Sequence, residues 1–217
     1  AAGTYQCRVS NACGEQWSKK YVLSALPAIT YSSTYYLDSN LNGTPNGVGT
    51  AITYGADRAG NANKAAVFNG TSSVIDITNP AAPIFAGSLN LPTNDDAKAI
   101  SIYGDTLLVG QGSKLQVVSV ANPTSPSLLG AVSATSAIND IALDLGNSGK
   151  YVFLGTDESA FEFKIADITD PAAPVILGKY NITGNTSIRG IAYDPDKDRV
   201  FAGGSATAQE FSVFKPQ

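Results

Sequence analysis

The chain has 217 residues, 43% hydrophobic and only 15% charged, enough apolar matter for one buried core with at most a short appendage, and too much for disorder. Its 18 acidic and 14 basic residues give a formal charge of -4, and apart from Lys19-Lys20 the bases stand singly, so no stripe exists to neutralise nucleic-acid phosphates. Histidine is absent, which removes Ser/His, Cys/His and His-ligated metal chemistry, and no apolar run approaches the ~18 residues of a membrane span.

Ala1-Ala2-Gly3-Thr4 carries neither the charged nor the apolar part of a secretory leader, as in a mature or excised chain. Residues 1–26 hold both cysteines, Cys7 and Cys13. A turn at Ser10-Asn11-Ala12 is expected to reverse the chain and bring their α-carbons within ~5.5 Å, the span of a disulfide. The alternative is two unpaired structural thiols; zinc is not expected, since two thiolates alone leave its site half built. This segment reads as a docking arm or stapled edge hairpin, apart from a larger domain over 27–217. The run from Ala28 to Leu37 is β-rich, and its Tyr31, Tyr35 and Tyr36, with Trp17, are candidates for an aromatic patch facing sugars or proteins, or for packing at sheet edges.

From residue 51 onward alternation and turn residues predict strand after strand. Ala51–Tyr54 and Ala66–Gly70 lead to Val74–Ile77; Ala99–Ile102 and Leu107–Gly110 lead to Leu115–Val120; Ile141–Leu143 and Tyr151–Gly155 lead to Phe161–Ile165. Each third run enters a recurring anchor: Asp76-Ile-Thr-Asn79-Pro80-Ala-Ala-Pro83, Ser119-Val-Ala-Asn122-Pro123-Thr-Ser-Pro126, and Asp167-Ile-Thr-Asp170-Pro171-Ala-Ala-Pro174. Proline removes an amide donor and keeps its predecessor extended, so the strand must stop there. An apolar fourth run follows, with Gly87, Gly130 and Gly178 each four residues past the second proline. The period is about 45 residues, the size of one four-stranded propeller blade. A last set, Ile191–Tyr193, Val200–Gly203 and Phe211–Phe214, ends before a fourth run. Helix has no foothold, because the periodicity is two and Gly or Pro interrupts every dozen residues.

At these anchors the chain resembles the LVIVD repeat family, over about residues 50–217. The resemblance implies a β-propeller, usually on bacterial or archaeal cell-surface proteins and usually without known catalytic activity. The second copy departs from the pattern at Ser119, where the others carry Asp76 and Asp167, which speaks against a strict metal-binding role for that position. The expected fold is all-β: a propeller of about four blades of four antiparallel strands, its last blade completed by the N-terminal run at Ala28–Leu37. The competing arrangement is a half-ring completed by another chain. Gly3–Gly14 also resembles the late strand of an immunoglobulin-like domain, although fewer than ~thirty residues cannot make that sandwich.

Two acidic groups are candidate sites. Asp194, Asp196 and Asp198 alternate as the first calcium-loop ligands do, but Arg199 stands where such a loop needs glycine, and a charged hairpin turn explains them as well. Asp157, Glu158 and Glu162 are candidates for a glycosidase pair, against a solvated loop and the polar side of a strand. The expected function is that of a non-catalytic extracellular or cell-surface module for protein interaction, adhesion or self-assembly, filaments included. No cofactor is expected beyond the calcium candidate. Its expected partners are proteins, copies of itself above all; the alternative is a secreted carbohydrate-binding or carbohydrate-active protein.

Overall fold

The computed structural model describes residues 3–5, 8–11, 14–17, 21–23, 51–56, 62–69, 71–76, 84–147, 149–182, 187–205 and 210–215. The chain forms two compact units, residues 1–32 and 33–217. In the first, β1 (Gly3–Tyr5) pairs antiparallel with β4 (Tyr21–Leu23), and β2 (Arg8–Asn11) pairs with β3 (Gly14–Trp17) in the register Arg8↔Trp17 and Asn11↔Gly14. Cys7 and Cys13, and with them the disulfide expected between them, lie outside the described residues; Ser10 and Asn11, expected to begin the turn, belong to β2 and pair with Glu15 and Gly14.

The second unit is a series of antiparallel meanders. The first sheet holds β5 (Ala51–Ala56), β6 (Ala62–Asn69), β7 (Thr71–Asp76) and β8 (Ile84–Asn90); the second holds β9 (Ala97–Tyr103), β10 (Thr106–Gln111), β11 (Lys114–Ser119) and β12 (Ser127–Ser133). The third holds β13 (Ile138–Leu143), β14 (Tyr151–Thr156), β15 (Phe163–Asp167) and β16 (Val175–Tyr180). The fourth has β17 (Ile188–Asp194), β18 (Arg199–Gly204) and β19 (Phe211–Phe214). The first strands β5, β9, β13 and β17 pack one against the next, so the sheets stand side by side as blades of a propeller. One turn of 3-10 helix, Leu145–Asn147, interrupts an otherwise all-β unit. The closing strand expected over 28–37, with Tyr31, Tyr35 and Tyr36, lies outside the described residues, and so do Asn79, Pro80 and Pro83.

Apolar runs without alternation mark the second strands, and the packing explains why. Leu107, Leu108 and Val109 of β10, and Val152, Phe153 and Leu154 of β14, are all buried because a neighbouring blade covers each face of the sheet. Three cores result. Leu89 and Leu91 meet Leu107, Val109 and Val118 between the first two blades; Leu108, Leu115 and Val117 meet Ile141, Val152 and Leu154 between the second and third. Phe153 and Phe163 meet Ile191, Val200 and Tyr193 between the third and fourth, with Phe163 stacked on Phe214 at 4.3 Å between ring centroids.

Candidate interaction surface

The anchors are turns whose polar residues serve the backbone. Asn122 Oδ1 accepts the Thr124 amide at 3.2 Å, and Asp170 Oδ1 accepts the Ala172 amide at 3.0 Å, so each residue before proline closes an Asx turn. One turn earlier, Asp167 Oδ1 accepts the Thr169 amide at 2.7 Å and Ser119 Oγ accepts the Ala121 amide at 3.4 Å. A hydroxyl does the same work there as a carboxylate, which explains why Ser119 replaces aspartate. Pro123 and Pro171 follow the third strands of their blades as the repeat required, and Pro126 and Pro174 are buried.

Glycine lets adjacent blades interlock at two levels. A Cβ on Gly110 of β10 would stand 2.7 Å from Ile138 Cγ2 at the start of the next blade, and one on Gly155 of β14 would run into Ile188 in the same way. Farther out, Gly87 and Gly130 face the anchor loop of the following blade: a Cβ on Gly87 would lie 2.8 Å from the Thr124 carbonyl carbon, and one on Gly130 would lie 2.5 Å from the Pro171 carbonyl oxygen. Sequence reading placed these glycines in the repeat but missed what they admit. The available signal was the recurrence of Gly110 and Gly155 directly after the apolar runs Leu107–Val109 and Val152–Leu154, and of Gly87 and Gly130 four residues past the second proline.

The fourth blade carries the same surface uncovered. The registers Gly110↔Leu115, Gly155↔Phe163 and Gly203↔Phe211 make Leu115, Phe163 and Phe211 equivalent. Leu115 is 0% exposed and Phe163 4%, whereas Phe211 is 65% exposed; Val213, equivalent to the buried Val117, is 50% exposed. Phe211 stacks only on Phe201 of its own sheet, at 6.0 Å, and a Cβ on Gly203 would meet nothing nearer than the Gly190 carbonyl at 3.9 Å. The outer edge of β19 is also unpaired among the described strands.

The acidic candidates are engaged elsewhere and do not converge. Asp194 Oδ1 accepts the amides of Asp196 and Lys197 at 3.0 and 3.2 Å, its other oxygen lies 2.6 Å from Lys197 Nζ, and that ammonium holds its carboxyl below the usual value. Asp198 has φ +49 and accepts the Tyr193 hydroxyl at 3.2 Å. Burial, with Asp144 and Asp198 alongside, pushes Tyr193 up to about 12. The triplet is therefore a charged hairpin turn, and among the described residues no group of three or more acidic or thiol ligands could hold a metal ion.

Burial pushes Asp157 up, but the Asn139 amide at 2.8 Å, Ser187 and Arg189 outweigh it and hold the carboxyl low. Hydrogen bonds from Lys164 Nζ at 2.5 Å and from the Thr135 hydroxyl hold Glu158 low. Glu162 is fully buried, one oxygen accepting the Ile182 amide at 2.8 Å and the other without a partner among the described residues. A glycosidase acid needs a raised pKa beside a second carboxylate. The cleft lined by Glu158 and Lys164 holds no second carboxylate, and the one lined by Tyr103 and Lys150 holds none. Lys164, buried to 3% exposure and ion-paired, was not singled out from sequence; its place in an alternating strand marks it only as polar.

Solved structures share this architecture. A protein from Lactobacillus plantarum superposes with a TM-score of 0.62 at 14% identity, covering 100% of this chain and 61% of its own. Raptor from Chaetomium thermophilum gives 0.59 at 14% identity, over 79% of this chain and 16% of that one. The chain thus spans less than two thirds of the length of each. No curated protein sequence matches it. The LVIVD repeat matches residues 65–91, 95–134 and 141–182, half of the sequence, with the anchors and interlocking glycines inside those spans. The chain belongs to the LVIVD repeat family.

Proposed function

We propose that this chain is a non-catalytic interaction module of the cell surface that associates with proteins, copies of itself included, through the uncovered flank of its fourth blade. One observation carries the reading. With a following blade alongside, the counterparts of Phe211 are buried at Leu115 and Phe163 and those of Val213 are buried at Val117 and partly buried at Ile165, whereas Phe211 and Val213 are 65% and 50% exposed. Burying a large apolar side chain is worth ~1.5 to 3 kcal/mol, so two of them beside Phe201 make a strong incentive for association. The low charge of the chain does little to oppose contact between copies. The extracellular placement rests on the family resemblance and on the histidine-free, charge-poor composition.

The test is sedimentation velocity on the parent and on a Phe211→Asp/Val213→Asp variant. The parent is expected to associate with rising concentration while the variant stays monomeric with an unchanged far-UV circular dichroism spectrum. A variant that associates as strongly as the parent would show that the flank is not the contact.

A further inference from the structure

Three glycines stand at one register point of three successive outer strands, and two of them show what that point receives. Gly87 pairs with Val74, Gly130 with Val117 and Gly178 with Ile165, and in each case the register slips by one residue immediately beyond. The bulge turns the glycine toward the following blade. At Gly87 the backbone of Pro123 and Thr124 fills the place a Cβ would take; at Gly130 the backbone of Pro171 and Ala172 does. At Gly178 a Cβ would meet nothing within 4 Å among the described residues. The blade beside Gly178 is the fourth, whose strand β19 leaves an edge open among the described strands.

We infer that Gly178 and the edge of β19 receive an extended polypeptide segment of the repeat's own chemistry, an Asx-Pro-x-x-Pro turn followed by an apolar strand, which adds as the fourth strand of the last blade. The inference deepens the interaction reading above and rests on it. The occupant is named by the two filled copies of the interface. In both, an Asx turn at Asn122 or Asp170 shapes the loop so that main-chain carbonyls press onto glycine, and the strand after the second proline pairs with the third strand. Strand addition to β19 would supply main-chain hydrogen bonds, and the glycine contact would supply selection, since only a turn of that shape reaches the bulge. A β-rich segment without the prolines would satisfy the edge but not the notch.

The probe is a fluorescein-labelled peptide of residues 76–90, which carries Asn79, Pro80, Pro83 and Gly87. Fluorescence anisotropy with the 217-residue chain is expected to show saturable binding. Gly178→Val should weaken it at least tenfold, and so should changing Pro80 and Pro83 of the peptide to Ser. The Cβ of that Val meets no described residue in the unbound protein, so the melting temperature of the variant is expected to hold or rise, which separates lost binding from lost folding. Equal binding to parent and Gly178→Val, or no binding to the parent, overturns the inference. A dimer of intact chains that Gly178→Val dissolves, with no peptide binding, would put a second whole copy there and overturn the stated occupant. Loss of association by the Phe211→Asp/Val213→Asp variant, with no peptide binding, would leave the flank reading standing and remove this one alone.

Discussion

The same substitution at equivalent positions should have opposite signs. Gly130→Ala places a methyl 2.5 Å from the Pro171 carbonyl oxygen, 2.7 Å from the Ala172 carbonyl oxygen and 2.8 Å from the Ala172 carbonyl carbon. All three are backbone atoms of a turn pinned by Asp170, so none can rotate aside as a side chain would. Overpacking of this kind typically costs ~1 to 3 kcal/mol, while replacing a glycine that needs no left-handed backbone recovers ~0.4 to 1 kcal/mol through the unfolded chain. The clash wins, leaving a net loss of about 1 to 2 kcal/mol. At Gly178 the clash is missing and only the gain remains. With ~2 to 4 °C per kcal/mol for a domain of this size, Gly130→Ala should melt roughly 2 to 8 °C below the parent and Gly178→Ala at or up to about 4 °C above it. Far-UV circular dichroism is the right signal, because it reads the β-strands of the blades directly. If both variants moved in the same direction by the same amount, the interlock between glycine and anchor loop would be wrong.

Acid should destabilise the blades. The carboxyls of Asp157, Glu158, Asp167 and Asp194 are held below their ordinary values, so the stability they contribute is present above the unfolded values near ~4 and is lost as pH falls through the folded ones. Asp140, raised by burial against hydrogen bonds from Ile191 and Ile141, acts in the opposite sense and is outnumbered. Melting temperature should therefore drop between about pH 4.5 and 3, with a shallower drop for Glu158→Gln; a rise on acidification would contradict the assignment. Mass spectrometry of the intact chain is expected to show a gain of two hydrogens on reduction, as a bond between Cys7 and Cys13 requires, and two thiols alkylated without reductant would contradict it.

Much of the fold was legible because its signals are local and repeated. The third strands end at Ser119 and Asp167, just before Asn122-Pro123 and Asp170-Pro171, and apolar runs such as Leu107–Gly110 and Tyr151–Gly155 are the strands with a blade on either side. The site was less legible. Asp194, Asp196 and Asp198 have a calcium-like spacing, yet spacing does not say which atoms a carboxylate already serves, and Asp194 is occupied by two amides and an ammonium of its own turn. Ser119 looked like a departure from the repeat because the reading compared charges. The shared requirement is an oxygen that accepts the amide two residues on, and serine meets it.

What no local signal could supply is the neighbourhood of a residue. Phe163 and Phe211 are the same amino acid in the same register against the same glycine position, Gly155 and Gly203, on third strands of successive blades. One is 4% exposed and the other 65%. The difference lies in what stands beyond the sheet: Ile188 and Phe214 press on the third blade's flank, and no described residue of a further blade presses on the fourth's. Repeat sequences encode an interface twice, once as a donor face and once as an acceptor face, and every blade carries both. The flank of the fourth blade carries counterparts of the residues that built the three interfaces before it, and the association proposed above uses that flank as an acceptor face. Exposure at Phe211 and openness at Gly178 among the described residues follow the pattern of the repeat, which is why the proposed partner resembles the repeat.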